Sequence, residues 1–395
     1  MSDYIYLDNA ATTRCGESVL DAMRPYLEDN YANPSGSYNA SMMCRRAVEE
    51  SRAVIAEIIG AKPEEIIFTS GGTESDNFAI KGTMYAGQGS QNQIITSKIE
   101  HHAVINTCKY LEKEGFFVKY LDVDKYGVVD MYQLQKSISK ITRMISVMYA
   151  NNEIGTIEPV EEIGRIAAHY GKVFHVDAVQ AFGQIPIDVN KIRADLMSMS
   201  SHKIHGPKGI GALYIRKGSM VENLLHGGEQ EFGMRAGTEN VAGIVGFAAA
   251  AKEAADKMND NFIYVSNLRN HMIRRIINEI PNCRLNGSLV DTGRVENAMK
   301  VKRLPGNVNF SFAGIKEGSI PLMLDAVGVC ASSGSACTSF KDGPSHVLEA
   351  IGLEEKLALA SVRFTIGSDN TLDDINKAVD ELKGVIRQMR ISSGV

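Results

Sequence analysis

The chain has 395 residues, 44% hydrophobic and 23% charged, which excludes a disordered or collagen-like polymer and indicates a soluble globular protein. Its length exceeds one ordinary core, so two domains are expected, and a net charge of -5 argues against nucleic acid as an obligate partner. The longest apolar run, 241–251, is too short for a bilayer, and no secretory signal opens the sequence, so a cytoplasmic protein with no membrane partner is expected.

Between residues 65 and 215, β-rich runs at 66–70, 93–99, 117–123, 144–150, 173–178, 196–200 and 211–215 alternate with amphipathic stretches such as 73–85, 102–114 and 160–170. That alternation predicts an α/β fold with a mostly parallel sheet, helices on both faces, and ligands beyond the carboxyl ends of the strands. After Gly237 the pattern changes to long helical segments at 239–257 and 261–279. A strand at 307–312, a helix at 319–326, a strand at 362–366 and a terminal helix at 371–390 follow. These predict a large domain over 14–259 and a smaller α+β domain from 260 to 395, with the boundary near Asn259.

Several segments carry chemistry. In IIFTSGGTESDN a β-rich run ends at Ser70, a Gly-Gly turn follows and a helix opens near Thr73, an arrangement that aims backbone N–H groups at an anion. Read alone, an ordinary βα turn capped by Thr73 is the favoured reading. Neither a P-loop nor a GxGxxG motif is present, so a nucleotide is not the expected anion. In SKIEHHAVINTC, His101 is a flat imidazole at a strand end, suited to stacking on an aromatic cofactor or moving protons.

In FHVDAVQ, Asp177 ends an apolar strand, where a carboxylate needs a cation or several donors; a protonated pyridine nitrogen meets that need, and so does a helix N-terminus. Gln180 stands three residues on. In MSMSSHKIHGPKGIGALYI, Lys203 leaves a strand for a turn rich in Gly and Pro, flanked by Ser200 and His202 as phosphate donors. A lysine desolvated there becomes a nucleophile.

The six cysteines are scattered, without a CxxC pair, which suits a reduced compartment and gives no zinc or disulfide framework. Cys337 differs from the others: ASSGSACTSFKDG surrounds it with small and polar residues, the composition of an exposed loop in which a thiol has a use. Arg363, in SVRFTIG, can pair bidentately with a substrate carboxylate or form a structural ion pair.

YLDNAATT, SGGTESDN, EHHAV, NNEIGT, HVDAVQ, SSHKIHGPKGIGALY, RAGTEN, ASSGSACTS and SVRFTIG occur in that order. Together they resemble the NifS/IscS-type cysteine desulfurases, fold-type I pyridoxal 5′-phosphate (PLP) enzymes of aminotransferase class V. The resemblance implies a homodimer, with residues 1–13 joining the small domain. It assigns the cofactor's Schiff base to Lys203, its ring nitrogen to Asp177 and its stacking partner to His101. Asn152 and Gln180 are placed near the phenolic oxygen, and the phosphate against Gly72, Thr73, Ser200 and His202, with Thr238 from the second subunit. Arg363, Asn33 and Asn152 are implied to hold L-cysteine. Cys337 is implied to take its sulfur as a persulfide and pass it to an acceptor protein, such as an iron–sulfur scaffold or a thiolation enzyme.

Differences from the family pattern fall at Arg14 and in HGGEQEFGMRAGTEN, at Glu229, Phe232 and Met234. Rival readings are a selenocysteine lyase, a cysteine sulfinate desulfinase, an aminotransferase, or a weakly catalytic sulfur-relay or scaffold protein.

Overall fold

The computed structural model describes residues 4–87, 91–289, 302–315, 319–333 and 343–394. After β1 (Ile5–Tyr6), the seven β-rich runs all form strands: β2 (Ile66–Thr69), β3 (Gln93–Ser97), β4 (Phe117–Leu121), β5 (Thr142–Met148), β6 (Val173–Asp177), β7 (Leu196–Ser200) and β8 (Gly211–Ile215). They make one sheet in the order β2-β8-β7-β6-β5-β3-β4. From β4 to β7 the neighbours are parallel, and β8 runs against both β7 and β2.

Alternating side chains explain how the sheet takes a helical layer on each face. Met144, Leu196 and Leu213 point to one side, where Phe78 and Met84 of the helix Gly72–Ala86 and Val104 and Leu111 of the helix His102–Lys113 pack. Ile145, Val147, Val176 and Met197 point to the other, beneath the helices Asn39–Ile59, Val160–His169 and Val241–Asp256. The first face is not uniformly apolar. Ser146, His175, Asp177, Ser198 and Ser200 lie on it too, all buried.

A second core forms around an antiparallel sheet of β9 (Cys283–Leu285), β10 (Asn307–Phe312) and β12 (Ser361–Thr365), with β10 in the middle. β11 (Val329–Cys330) pairs in parallel with β1. Val308, Phe310 and Phe364 pack there against Met272 and Ile276 of the helix Met258–Glu279 and Leu382 of the helix Leu372–Ser392. Ile5 and Leu7 belong to the same cluster. The expected break between the helical segments 239–257 and 261–279 shrinks to Lys257, which separates two helices in immediate succession. The last helix opens on a reciprocal cap: Asp374 N–H donates to Thr371 Oγ1 (3.1 Å) and Thr371 N–H to Asp374 Oδ2 (2.8 Å).

The short helix His346–Ala350 ties the C-terminal part to the large sheet. Val347 and Leu348 pack against Ile99, Met148 and Ile154. Among the described residues no helix is long and apolar enough to cross a membrane.

Candidate active site

The strand ends place the polar residues. β6 stops at Asp177, β7 stops at Ser200, and a single tight turn, Ser201–Lys203, follows β7. In register, Asp177 stands beside Ser198, so Lys203 leaves the sheet next to Asp177. A cavity of about 240 Å³ opens over this edge. Gly72, Thr73, His101, Asn152, Asp177, Gln180, Ser200, His202, Lys203 and Arg363 all line it. Ten residues from distant segments thus converge on one space.

The Lys203 amine donates to the carbonyl oxygens of Ala10 and Ala11, the latter at 2.8 Å. Gln180 Nε2 donates to the same Ala10 carbonyl at 2.9 Å. The segment after β1 therefore forms one wall of the site and holds the amine. Arg363, in the middle of β12 and 1% exposed, reaches the cavity from the second core. It donates to Asp8 Oδ1 (2.7 Å) and to the Asn152 carbonyl (3.2 Å).

Burial sets the charges. Asp177 accepts the Val179 N–H at Oδ1 (3.0 Å), the bond a capping carboxylate makes. Burial still lifts its pKa to about 6, against the pull of that N–H and of Lys203. An acid so placed gains from a cation in the cavity, which fits a pyridinium nitrogen. His101 accepts the Ala103 N–H at Nδ1 (3.2 Å), which puts its remaining proton on Nε2. Burial first, and Lys203 second, lower its pKa to about 4, so the ring is neutral. His202 is lowered to about 4 for the same reasons and meets Thr12 Oγ1 at 3.1 Å through Nδ1.

The anion end is equally defined. Gly71, at φ 148°, caps the helix Gly72–Ala86 without a side-chain bond, so Thr73 is not the cap. A Cβ on Gly72 would come within 2.6 Å of Val179, which lets only glycine bring this helix start so close to the end of β6. Ser200 Oγ is buried there with no hydrogen-bond partner among the described residues. A helix N-terminus beside an unsatisfied hydroxyl is a fitting cradle for a phosphate.

Two expected residues stand elsewhere in the chain. Asn33 is exposed and accepts the Ser35 N–H (2.9 Å), and Thr238 is exposed; neither lines this cavity. Cys337 lies outside the described residues, as do Lys341 and Asp342. The flanks of that segment are placed, however. Ser332 exchanges main-chain hydrogen bonds with Arg363 (3.0 and 2.7 Å). Ser345 Oγ donates to Glu153 Oε2 (2.5 Å), and His346 Nε2 donates to the Glu100 carbonyl (2.9 Å).

The stretch that departs from the family pattern is pinned from within. Arg52 donates to both oxygens of Glu231 (2.7 and 3.0 Å), with both side chains almost fully buried. Phe232 covers the guanidinium, 4.7 Å from ring centroid to Cζ. Arg235 pairs with Glu74 at 2.8 Å, at the start of the helix that carries Gly72 and Thr73.

Sequence reasoning missed Asp76, Glu100, Glu153 and His346, which also line the cavity. Two signals were available. Asp76 follows Thr73 by about one helical turn, and Glu100 precedes His101 directly.

The aminotransferase class-V family model matches residues 5–378. The chain belongs to that family. It falls among the NifS/IscS-type cysteine desulfurases: it is 48% identical over 393 residues to cysteine desulfurase IscS of Dictyoglomus turgidum, covering 100% of this chain and 97% of the relative. Among solved structures, a NifS-like protein superposes with a TM-score of 0.88 at 34% identity, over 98% of this chain and 100% of that one. SspA in complex with cysteine superposes with a TM-score of 0.79 at 35% identity, over 93% and 99%. The family's fold-type I architecture is the one described above.

Proposed function

We propose that this chain is a PLP-dependent cysteine desulfurase, converting L-cysteine to L-alanine and carrying the sulfur away on Cys337. The observation that supports it most is the convergence of Lys203, Asp177, His101 and Arg363 on one cavity at the carboxyl edge of the sheet. When bound, the cofactor supplies an electron sink for a carbanion at the substrate's Cα.

The chain's residues do the rest. Lys203 would hold the cofactor, and its amine would move the proton at Cα. Asp177 would meet the ring nitrogen as an anion, and the neutral His101 imidazole would be available to stack on the ring. Asn152 and Gln180 orient the phenolic side. Gly72, Thr73, Ser200 and His202 take the phosphate. Thr238 supplies a further donor from a second copy, which is our reason for proposing a homodimer. Arg363, with Asn152, takes the cysteine carboxylate; its five donors allow it to exchange partners as substrate enters.

The Cys337 thiolate attacks the substrate sulfur. A sulfur–sulfur bond forms, the carbon–sulfur pair stays on Cβ, and a proton there completes alanine. The sum is L-cysteine plus a thiol giving L-alanine plus a persulfide, with no external oxidant. We place the division of the chain at 14–259 against 1–13 with 260–395; Ile5 and Leu7 packing with residues from Val265 onward supports it, while Phe262 and Leu304 reach back into the first core. A cytoplasmic location fits the five described cysteines, all free. The sulfur leaves to an acceptor protein of cluster or thio-cofactor synthesis.

The test is production of L-alanine and sulfide from L-cysteine with PLP, wild type against Cys337→Ala. Alanine that vanishes in the variant is expected. Equal alanine from both would overturn the role of the thiol, and none from either would overturn the reaction.

A further inference from the structure

Four buried carboxyls, Asp76, Glu100, Glu153 and Asp177, line the cavity, against the cationic side chains of Lys203 and Arg363, the second already paired with Asp8. The neighbouring His101 and His202 are neutral, as argued above, so full ionisation of these carboxyls would leave uncompensated negative charge in a buried space. Asp177 has a use for its charge. Asp76 has none assigned, yet it is 1% exposed and its Oδ1 has no hydrogen-bond partner among the described residues.

The imidazole behind Asp76 gives it no hydrogen bond. His175, fully buried on β6, meets Ser146 Oγ at Nδ1 (2.9 Å) and Ser198 Oγ at Nε2 (3.0 Å), so both ring nitrogens are committed to serines. Asp76 Oδ1 stands 3.7 Å from His175 Nε2, beyond hydrogen-bond distance.

We propose that Asp76 is a positioning residue of the cofactor site: it carries a proton on Oδ1 and presents it, from the helix Gly72–Ala86, as a neutral donor on the Asp177 side of the cavity. The groups facing it are His175 and Asp177 from β6, Ser198 from β7, Lys203 beyond β7, and Glu100 before the helix His102–Lys113. Burial and the negative charge of Asp177 both favour its protonated form. A neutral donor there leaves Asp177 as the carboxyl that ionises against the cofactor. The role toward the cofactor rests on the reading of the site as a PLP site; the protonation state does not.

Two variants and two readouts test it. Infrared difference spectra of the cofactor-free protein, wild type minus Asp76→Asn at neutral pH, should show loss of a protonated-acid C=O band. Loss of a carboxylate band in its place overturns the proposal whether or not the protein binds PLP. PLP affinity of the cofactor-free protein should survive in Asp76→Asn, which keeps a neutral donor, and fall about ten-fold or more in Asp76→Ala. Equal loss in both variants means that the charge was needed and also overturns it. If the alanine variant does not fold, the asparagine variant and the infrared spectra still decide. A wild type that takes up no PLP defeats the cofactor reading alone.

Discussion

Replacing Asp177 by asparagine should make the cofactor-free protein more stable and the cofactor-loaded protein less so. Burial holds this carboxyl near pH 6 in place of its ordinary 3.8. Below 3.8 it is protonated in folded and unfolded chains alike and nothing is lost. As pH rises through the window to about 6, the unfolded chain ionises it freely while the folded chain resists. Above that window the folded protein has lost about 3 kcal/mol relative to acid conditions. Asparagine cannot ionise, can still accept the Val179 N–H, and escapes this loss. Urea unfolding of both proteins without cofactor should therefore show a gap near zero at pH 4 that opens to about 3 kcal/mol in favour of Asp177→Asn at pH 8. With PLP at about a thousand times its Kd the wild type gains about 4 kcal/mol, and the variant, lacking a partner for the ring nitrogen, gains far less. A wild type that is the more stable at pH 8 without cofactor, or a gap that ignores pH, would refute the reasoning.

Lys203→Ala should lose covalent cofactor: after borohydride reduction and denaturation the wild type retains the cofactor's mass and the variant does not. Arg363→Lys keeps the charge but loses the fork, so kcat/KM for L-cysteine should fall about ten-fold or more through KM in steady-state assays. Arg52→Ala strands the buried Glu231 carboxylate and should cost about 3–5 kcal/mol in urea unfolding. A loss under 1 kcal/mol would show that the pair is not the anchor of its loop.

The large sheet was legible because its strands are long, apolar and separated by amphipathic stretches. β1, β9 and β11 were not, because runs of two or three residues such as Ile5–Tyr6 and Val329–Cys330 have no periodicity to read. Helix starts were legible to within a residue or two where a turn residue marks them, as at Gly72 and Thr371. In the site, Lys203 and Asp177 stood out because a charged residue at the end of an apolar strand demands a reason. Asp76 and His175 did not, since their burial depends on a helix packing over β6 and β7. A period-two pattern, His175 with Asp177 and Ser198 with Ser200, was nonetheless written in the strands. The Ala10 and Ala11 carbonyls that hold Lys203 could not be foreseen, because main-chain acceptors leave no mark on residue identity.

The grip of residues 9–11 also sets a schedule for biosynthesis. Asn9 Nδ2 donates to the Thr365 carbonyl and Ala10 N–H to Thr365 Oγ1, contacts spanning 356 and 355 positions. A ribosome delivers the amine-bearing turn at Lys203 long before the strand that pins Ala10 in place. While the chain is being made, Asn9 and the Ala10 N–H wait for Thr365, which follows 356 and 355 positions later. The lysine's final surroundings therefore come into being only after Thr365 is made, and a chain stalled short of it carries a complete large sheet without a finished site.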